Sequence, residues 1–338
     1  MIFSIKSAGF PKTGRRKVTM ELPAALKQEI EQRCAAHSPQ TLSAAARALS
    51  ERYRKESGQG KRLLTADIEA LAYAVVRMSA TYGAVYTALG HALASFSGEI
   101  RSVLDVGAGT GAACWAAREL LPEAAEFTCL EREGAMLRLG SGLMQADDHL
   151  AQARWLQQDV TKEPIRHRAD LVIASYAMNE MTREGRESLL QALWAQTDQL
   201  LLILEPGTPV GSGQLRRAKE ILTALGGQVV APCPGNAPCP LAGDDWCHFT
   251  CRISRSRLHK QLKEGDVPYE DEKFSYLAVA KTPGSPVAGR ILRHPMKNPG
   301  HIALRLCTPE GIRDLSVTKK QGELFKKARK SAAGDPFP

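Results

Sequence analysis

From Ser102 to Met136 the chain reads SVLDVGAGTGAACWAARELLPEAAEFTCLEREGAM. The apolar run of Val103, Leu104 and Val106 stops at three alternate glycines, Gly107, Gly109 and Gly111, and a helix-compatible segment follows at once. That succession predicts a strand, a tight loop and a helix, with the loop suited to close backbone approach. A second apolar run, Phe127–Leu130, ends in Glu131, about twenty residues past the last glycine. In a doubly wound sheet an acid there faces ribose hydroxyls, so loop and acid together predict a nucleoside cofactor.

The spacing is G-x-G-x-G, shorter than a dinucleotide loop that must seat a pyrophosphate. A loop of this length offers backbone N–H groups and a helix dipole to a smaller anion such as a carboxylate. The segment resembles motif one of the class I methyltransferases, with Asp105 and the three glycines in place and Glu131 as the ribose acid. The resemblance implies an α/β, Rossmann-like fold with a seven-stranded, mostly parallel sheet. It also implies S-adenosylmethionine as cofactor, held at Asp105, Gly107, Gly109, Gly111 and Glu131.

Downstream, a helix is expected over 136–150, and Ala153–Leu156 leads into Gln158-Asp159-Val160. Asp159 closes the third strand, and the resemblance assigns it to the adenine amino group. The run from Asp170 to Glu180, DLVIASYAMNE, reads as a strand entering a polar loop at the carboxyl edge of the sheet, where ligands of open α/β sheets bind. That loop lacks both an Asn/Asp-Pro-Pro-Tyr signature and a Pro-Cys nucleophile. Tyr176, Asn179 and Glu180 are the candidates for positioning a methyl acceptor, with Ser175 beside them, and Asn179 reads equally as a helix cap. Leu200–Leu204, Val229–Ala231 and Phe274–Ala280 complete the alternation as strands five, six and seven.

Upstream, Leu22 to Ser57 has helical spacing broken at Ser38-Pro39, and Gly58-Gln59-Gly60 makes a break before a longer helix opening at Thr65. Tyr73, Tyr82 and Tyr86 recur on it with Arg77, a pattern that predicts a core stripe with a structural arginine more readily than an RNA-stacking surface. The expected domains are a helical region over 1–98, a methyltransferase-like domain over 99–282 carrying a Cys-rich insertion at 232–251, and a β-rich basic extension over 283–338.

At 338 residues and 43% hydrophobic, the chain can bury a core without staples. No run of eighteen apolar residues occurs, Met1–Pro23 lacks an apolar leader segment, and Pro11, Glu21 and Pro23 interrupt its basic stretch. A cytoplasmic protein with no membrane span is therefore expected, its eight cysteines held reduced. The net charge of +9 is uneven: residues 1–63 hold 13 Lys and Arg against 5 acids, residues 252–338 hold 18 against 9, and the middle holds 14 against 22. Basic ends around an acidic body suit contact with nucleic acid.

Four of the cysteines, Cys233, Cys239, Cys247 and Cys251, fall within nineteen residues of a Pro- and Gly-rich loop. Such a loop has little side-chain volume to hold itself, and a thiolate-bound metal would supply the cross-links. The C-x5-C-x7-C spacing of the first three is no zinc-finger knuckle. The segments PCPGNAPCPL, DDWCHF and EDEKFSYLAVAK, preceded by ASYAMNEM and LEPGTPVG, are similar to those of the methyltransferase-like assembly factors of the mitochondrial small ribosomal subunit and their bacterial relatives. That resemblance, over roughly 65–330, implies a [4Fe-4S] cluster on Cys233, Cys239, Cys247 and, from the C-terminal extension, Cys307. Cys251 is the rival fourth ligand by proximity, His248 a weaker one, and four thiolates suit zinc as well as iron and sulfide.

The extension carries Arg290, Arg293, His294, Lys297 and Arg305 on short strands, then Lys319, Lys320, Lys326, Lys327, Arg329 and Lys330 towards a helix. Cations along one ribbon suit a phosphate backbone. The function this implies is that of a monomeric small-subunit assembly factor whose partners are rRNA and ribosomal proteins. An active rRNA methyltransferase and a redox- or iron-responsive RNA-binding protein are the alternatives.

Overall fold

The computed structural model describes residues 19–56, 64, 66–263 and 265–338. The expected break at Gly58-Gln59-Gly60, the helix start at Thr65 and most of the Met1–Pro23 segment lie outside the described residues.

A short strand β1 (Thr19–Met20) precedes helices α1 (Ala24–Cys34), α2 (Pro39–Glu56) and α3 (Asp67–Tyr73). A π-helical turn, Ala74–Met78, joins α3 to α4 (Ser79–Leu93). Leu26, Ile30 and Cys34 of α1 and Leu42, Ala46 and Leu49 of α2 face inward at three- and four-residue intervals, so each short helix is held by one apolar stripe.

The central unit follows as β2 (Ser102–Val106), α5 (Ala112–Leu120), β3 (Glu126–Glu131), α6 (Gly134–Met144), β4 (Arg154–Gln157), β5 (Ala169–Ser175), α7 (Arg183–Gln196), β6 (Thr197–Pro206), α8 (Pro209–Ala224) and β7 (Gln228–Ala231). After the cysteine loop come β8 (Phe249–Ser254), α9 (Arg257–Leu262) and β9 (Tyr269–Ala280). The strands form one nine-stranded sheet in the order β1-β8-β9-β6-β5-β2-β3-β4, with β7 also on β9. Pairs from β4 to β6 are parallel, and β9 runs antiparallel to β6, β7 and β8. The strands of the parallel centre are apolar on both faces because helices cover both, which is why they read as unbroken hydrophobic runs.

This is an α/β, Rossmann-like class I methyltransferase fold. All seven expected strands are present, and two more join them. Phe249–Ser254 alternates buried and half-buried residues and pairs with the first half of β9, while β7 pairs with its second half. Cys251 therefore lies in a sheet strand and not in the loop. Asn179 is not the cap of α7: Thr182 is, its Oγ1 accepting from the Gly185 N–H at 3.2 Å.

The C-terminal extension builds a second, five-stranded sheet from β10 (Gly289–Ile291), β11 (Met296–Asn298), β12 (His301–Thr308), β13 (Gly311–Thr318) and β14 (Pro336–Phe337), with α10 (Glu323–Lys330) against it. Ile291, Ile302, Leu304, Leu306, Val317, Ala328 and Phe337 form its core. It is fastened to the body by Arg290, which is fully buried and donates to the carbonyls of Gly334 at 2.8 Å and Val230 at 3.3 Å. The expectation that Arg290 meets phosphate is thus corrected. Arg293 and Arg305 are also engaged internally, both with Asp245, while Lys297, Arg313, Lys319, Lys320, Lys326, Lys327, Arg329 and Lys330 are exposed to solvent. Among the described residues no helix is long and apolar enough to cross a membrane.

Candidate functional site

A cavity of about 580 Å³ opens at the carboxyl ends of β2, β3, β4 and β5, where the strand order reverses between β2 and β5. Gly107, Gly109, Glu131, Asp159 and Tyr176 line it, with Thr110, Glu133, Ser175 and the helical residues Tyr73, Met78 and Thr81. Asp105 and Gly111 stand behind this lining. Gly111 begins α5 at φ 82°, and a Cβ there would press on Met144 and Trp155, so the turn into the helix requires glycine.

Glu131 is tied to the loop itself. One carboxylate oxygen accepts from the Gly109 N–H and the other from the Glu133 N–H, each at 2.7 Å. Burial pushes its carboxyl up against the pull of these two bonds. Asp105 is fully buried below, where burial and the Glu131 charge raise it to about 7, and the Cys114 thiol donates to it at 3.8 Å. Asp159 sits in the turn beyond β4, and does not close the strand. Its Oδ1 accepts from the Thr161 N–H at 3.1 Å and the Thr161 hydroxyl at 2.5 Å, and Lys162 pairs with Oδ2 at 3.3 Å.

Of the candidate acceptor groups, Tyr176 reaches the cavity with its backbone at φ 60°, a conformation that costs a non-glycine residue energy. Its hydroxyl donates to Glu272 at 3.2 Å, and Glu272 also accepts both terminal nitrogens of Arg77 at 3.2 and 3.3 Å. Burial and the Glu272 charge raise the Tyr176 phenol well above its ordinary range. Asn179 is not part of the lining, and the Glu180 side chain lies outside the described residues. Arg77 is the structural arginine that helical spacing suggested, but its partner Glu272, far away in the chain, carried no local signal.

The second cluster lies where the extension meets the body. Cys307 forms a small buried group with Leu241 and Leu292, packed by Cys239 and Cys247. Cys247 feels the charges of Cys233, Cys239 and Cys307, which with burial raise its thiol well above the ordinary value. Burial, Cys233 and Cys239 raise Cys307 to about 12. The thiols gather without closing: among the described residues no three His, Cys, Asp or Glu side chains stand ready to hold a metal ion. Cys251 lies elsewhere, on β8 against Gly83 of α4, where burial and Glu272 raise it to about 12. His248 bonds the Trp246 carbonyl at 3.1 Å.

A glycine loop closed by the acid of the next strand, at the switch point of this strand order, defines a protein with a methyltransferase-like fold and an open pocket at the carboxyl edge of its sheet. The chain belongs to the family described as mitochondrial small ribosomal subunit Rsm22, whose model matches residues 67–338. The human protein named ribosome assembly protein METTL17, mitochondrial, is 28% identical over 260 residues, which cover 70% of this chain and 55% of that protein. Rsm22-cox11 tandem protein 2, mitochondrial, of Schizosaccharomyces pombe is 26% identical over 216 residues, covering 50% of this chain and 29% of that one. The chain thus spans about half the length of the human relative, and less of the yeast one. Magnesium protoporphyrin IX methyltransferase of Synechocystis PCC 6803 with bound SAM aligns at a TM-score of 0.39 and 14% identity, over 69% of this chain and 91% of that one. The family and both relatives are described as mitochondrial, which overturns the expected cytoplasmic location.

Proposed function

We propose that the chain is an assembly factor of the small ribosomal subunit that binds rRNA with its basic extension and uses the methyltransferase fold mainly as a scaffold. The observation that carries this reading is the meeting of Cys307, from the extension, with Cys239 and Cys247 of the body. Chain segments far apart in sequence gain little from apolar packing at so small a contact, whereas a metal bound by Cys233, Cys239, Cys247 and Cys307 would fasten them. The donors are all thiols, which suits a soft metal, and burial raises Cys233, Cys247 and Cys307 above the ordinary thiol value, so a metal would have to displace their protons as it binds. A [4Fe-4S] cluster is the centre this reading assigns, zinc the competing one.

The pocket suits S-adenosylmethionine through the glycine loop for the carboxylate end, Glu131 for the ribose and Asp159 near the base. When bound, that group supplies an activated methyl, and the chain need only align an acceptor. No general base is needed for scaffolding, and the Tyr176 hydroxyl is already engaged by Glu272.

Anaerobic purification followed by an absorption spectrum and iron, sulfide and zinc analysis tests the centre. Broad visible absorption with about four irons per chain is expected. Cys233→Ser should lose the metal and the association with immature small subunits while keeping cofactor binding. Full association by the metal-free variant would reject the fastening role. Transfer of labelled methyl to immature subunits would make the protein an active methyltransferase in place of a scaffold.

A further inference from the structure

Residues 283–338 carry 11 Lys and Arg against 4 Asp and Glu. Three of these lysines meet at one corner of the small sheet. β11 pairs with β12 so that Lys297 lies beside Ile302 and Asn298 beside His301, and His301 pairs in turn with Thr318 at the end of β13. The next residue, Lys319, donates its N–H to the Gly300 carbonyl at 3.1 Å, which brings the turn Lys319–Gln321 against the turn between β11 and β12. Lys297, Lys319 and Lys320 are all exposed there, as are Asn298 and His301.

Little negative charge offsets them. Glu310 is at the other end of the β12–β13 hairpin, Asp314 pairs with Arg305, and Glu323 pairs with Lys326. Asp335 is half-buried before β14 and feels Lys297 and Lys327 together, so β11 and α10 bring cations to one place. On α10, Leu324, Phe325 and Ala328 pack on the small core while Lys326, Lys327, Arg329 and Lys330 are exposed. The cations of its last turn suit the helix dipole, but Lys319 and Lys320 stand just before its N-terminus, where the dipole disfavours positive charge.

The form of RNA follows from the side chains that the extension offers. Unpaired bases are held by stacking on exposed aromatic rings. Phe325 and Phe337 are the only Phe, Tyr or Trp in residues 283–338, and both pack into the small core. Paired RNA presents a regular phosphate backbone and keeps its base edges in a deep major groove that side chains do not read. We infer that the corner of Lys297, Lys319 and Lys320, continued by the exposed face of α10, grips the phosphate backbone of duplex rRNA independently of its sequence. The inference rests on the rRNA-binding reading above and names the form of RNA that the extension takes.

The test is fluorescence anisotropy of the full chain over a series of salt concentrations, with an RNA duplex of two helical turns and an oligouridine of the same length as probes. The duplex should bind about tenfold tighter than oligouridine, or better. Lys297→Gln, Lys319→Gln and Lys320→Gln together should weaken duplex binding by about tenfold or more, and make the plot of log K against log salt shallower by about 3. The same three positions changed to Arg keep the charge and should stay within about threefold of wild type. All three side chains are exposed, and urea unfolding checks that the variants fold as wild type does. Oligouridine bound as tightly as the duplex, a glutamine variant that matches wild type, or an arginine variant that falls as far as the glutamine one would overturn the inference and leave rRNA binding standing. Capture by vesicles of anionic phospholipid but not by the duplex would overturn it in favour of a membrane surface. A wild type that binds neither RNA probe at low salt would overturn the rRNA-binding reading as well.

Discussion

The Gly109 N–H donates to the Glu131 carboxylate at 2.7 Å, so the acid ending β3 is bonded to the loop that follows β2. Glu131 and the glycine loop are therefore one preorganised unit. Glu131→Ala removes the acid and frees both the Gly109 and Glu133 N–H groups. Hydrogen bonds to a charged group contribute about 1.5–3 kcal/mol, so binding of S-adenosylmethionine should weaken by about 10- to 100-fold in a calorimetric titration. Unchanged affinity would place the cofactor elsewhere.

Gly140 on α6 lies against the same loop. A Cβ there would collide with the Trp155 ring and stand 3.1 Å from the Thr110 backbone. Gly140→Ala should lower stability by about 1–3 kcal/mol in urea unfolding, the usual cost of overpacking, and weaken cofactor binding with it. A variant as stable as wild type would mean that α6 shifts freely.

Glu272 joins Arg77 on the π-helical turn to Tyr176 at the pocket edge. Glu272→Ala strands the guanidinium. Because about a third of the Arg77 side chain meets solvent, the expected loss is about 2–3 kcal/mol, below that of a fully buried pair. Tyr176→Phe removes one hydrogen bond and should cost about 1 kcal/mol. Equal losses in the two unfolding curves would contradict this ranking.

Burial and the neighbouring Arg290 lower His91 to about 3 from an ordinary 6.5, so it is neutral when folded. The unfolded chain then binds the extra proton as pH falls below 6.5. Stability from this group is present above pH 6.5 and is lost progressively towards pH 3. At pH 5 the loss is about 2 kcal/mol. His91→Gln should flatten the difference in unfolding free energy between pH 7.5 and pH 5, and an unaltered slope would assign it to other groups.

Much of the fold is legible because its signals are local. The runs around Val103, Leu171 and Leu201 are apolar on both faces, as strands covered by helices on both sides must be, and the glycines after Val106 report a backbone conformation other residues resist. Phe249–Ser254 was not legible as a strand, since it is short, begins just after Cys247-His248 and finds its partner in β9 only after an intervening helix. The fate of the arginines was equally hidden: Arg290 reads as a surface cation until the fold buries it against Gly334 and Val230.

The sequence alone determined the fold class, the glycine loop with the acid that closes it, and the kinship with the mitochondrial small ribosomal subunit family, because each is written in contiguous residues with fixed spacing. Tertiary structure alone decided that Cys307 meets Cys239 and Cys247 while Cys251 does not. Spacing along a chain constrains neighbours within a turn or a strand. Which distant side chains share one buried volume depends on the packing of whole sheets, and no short pattern encodes it.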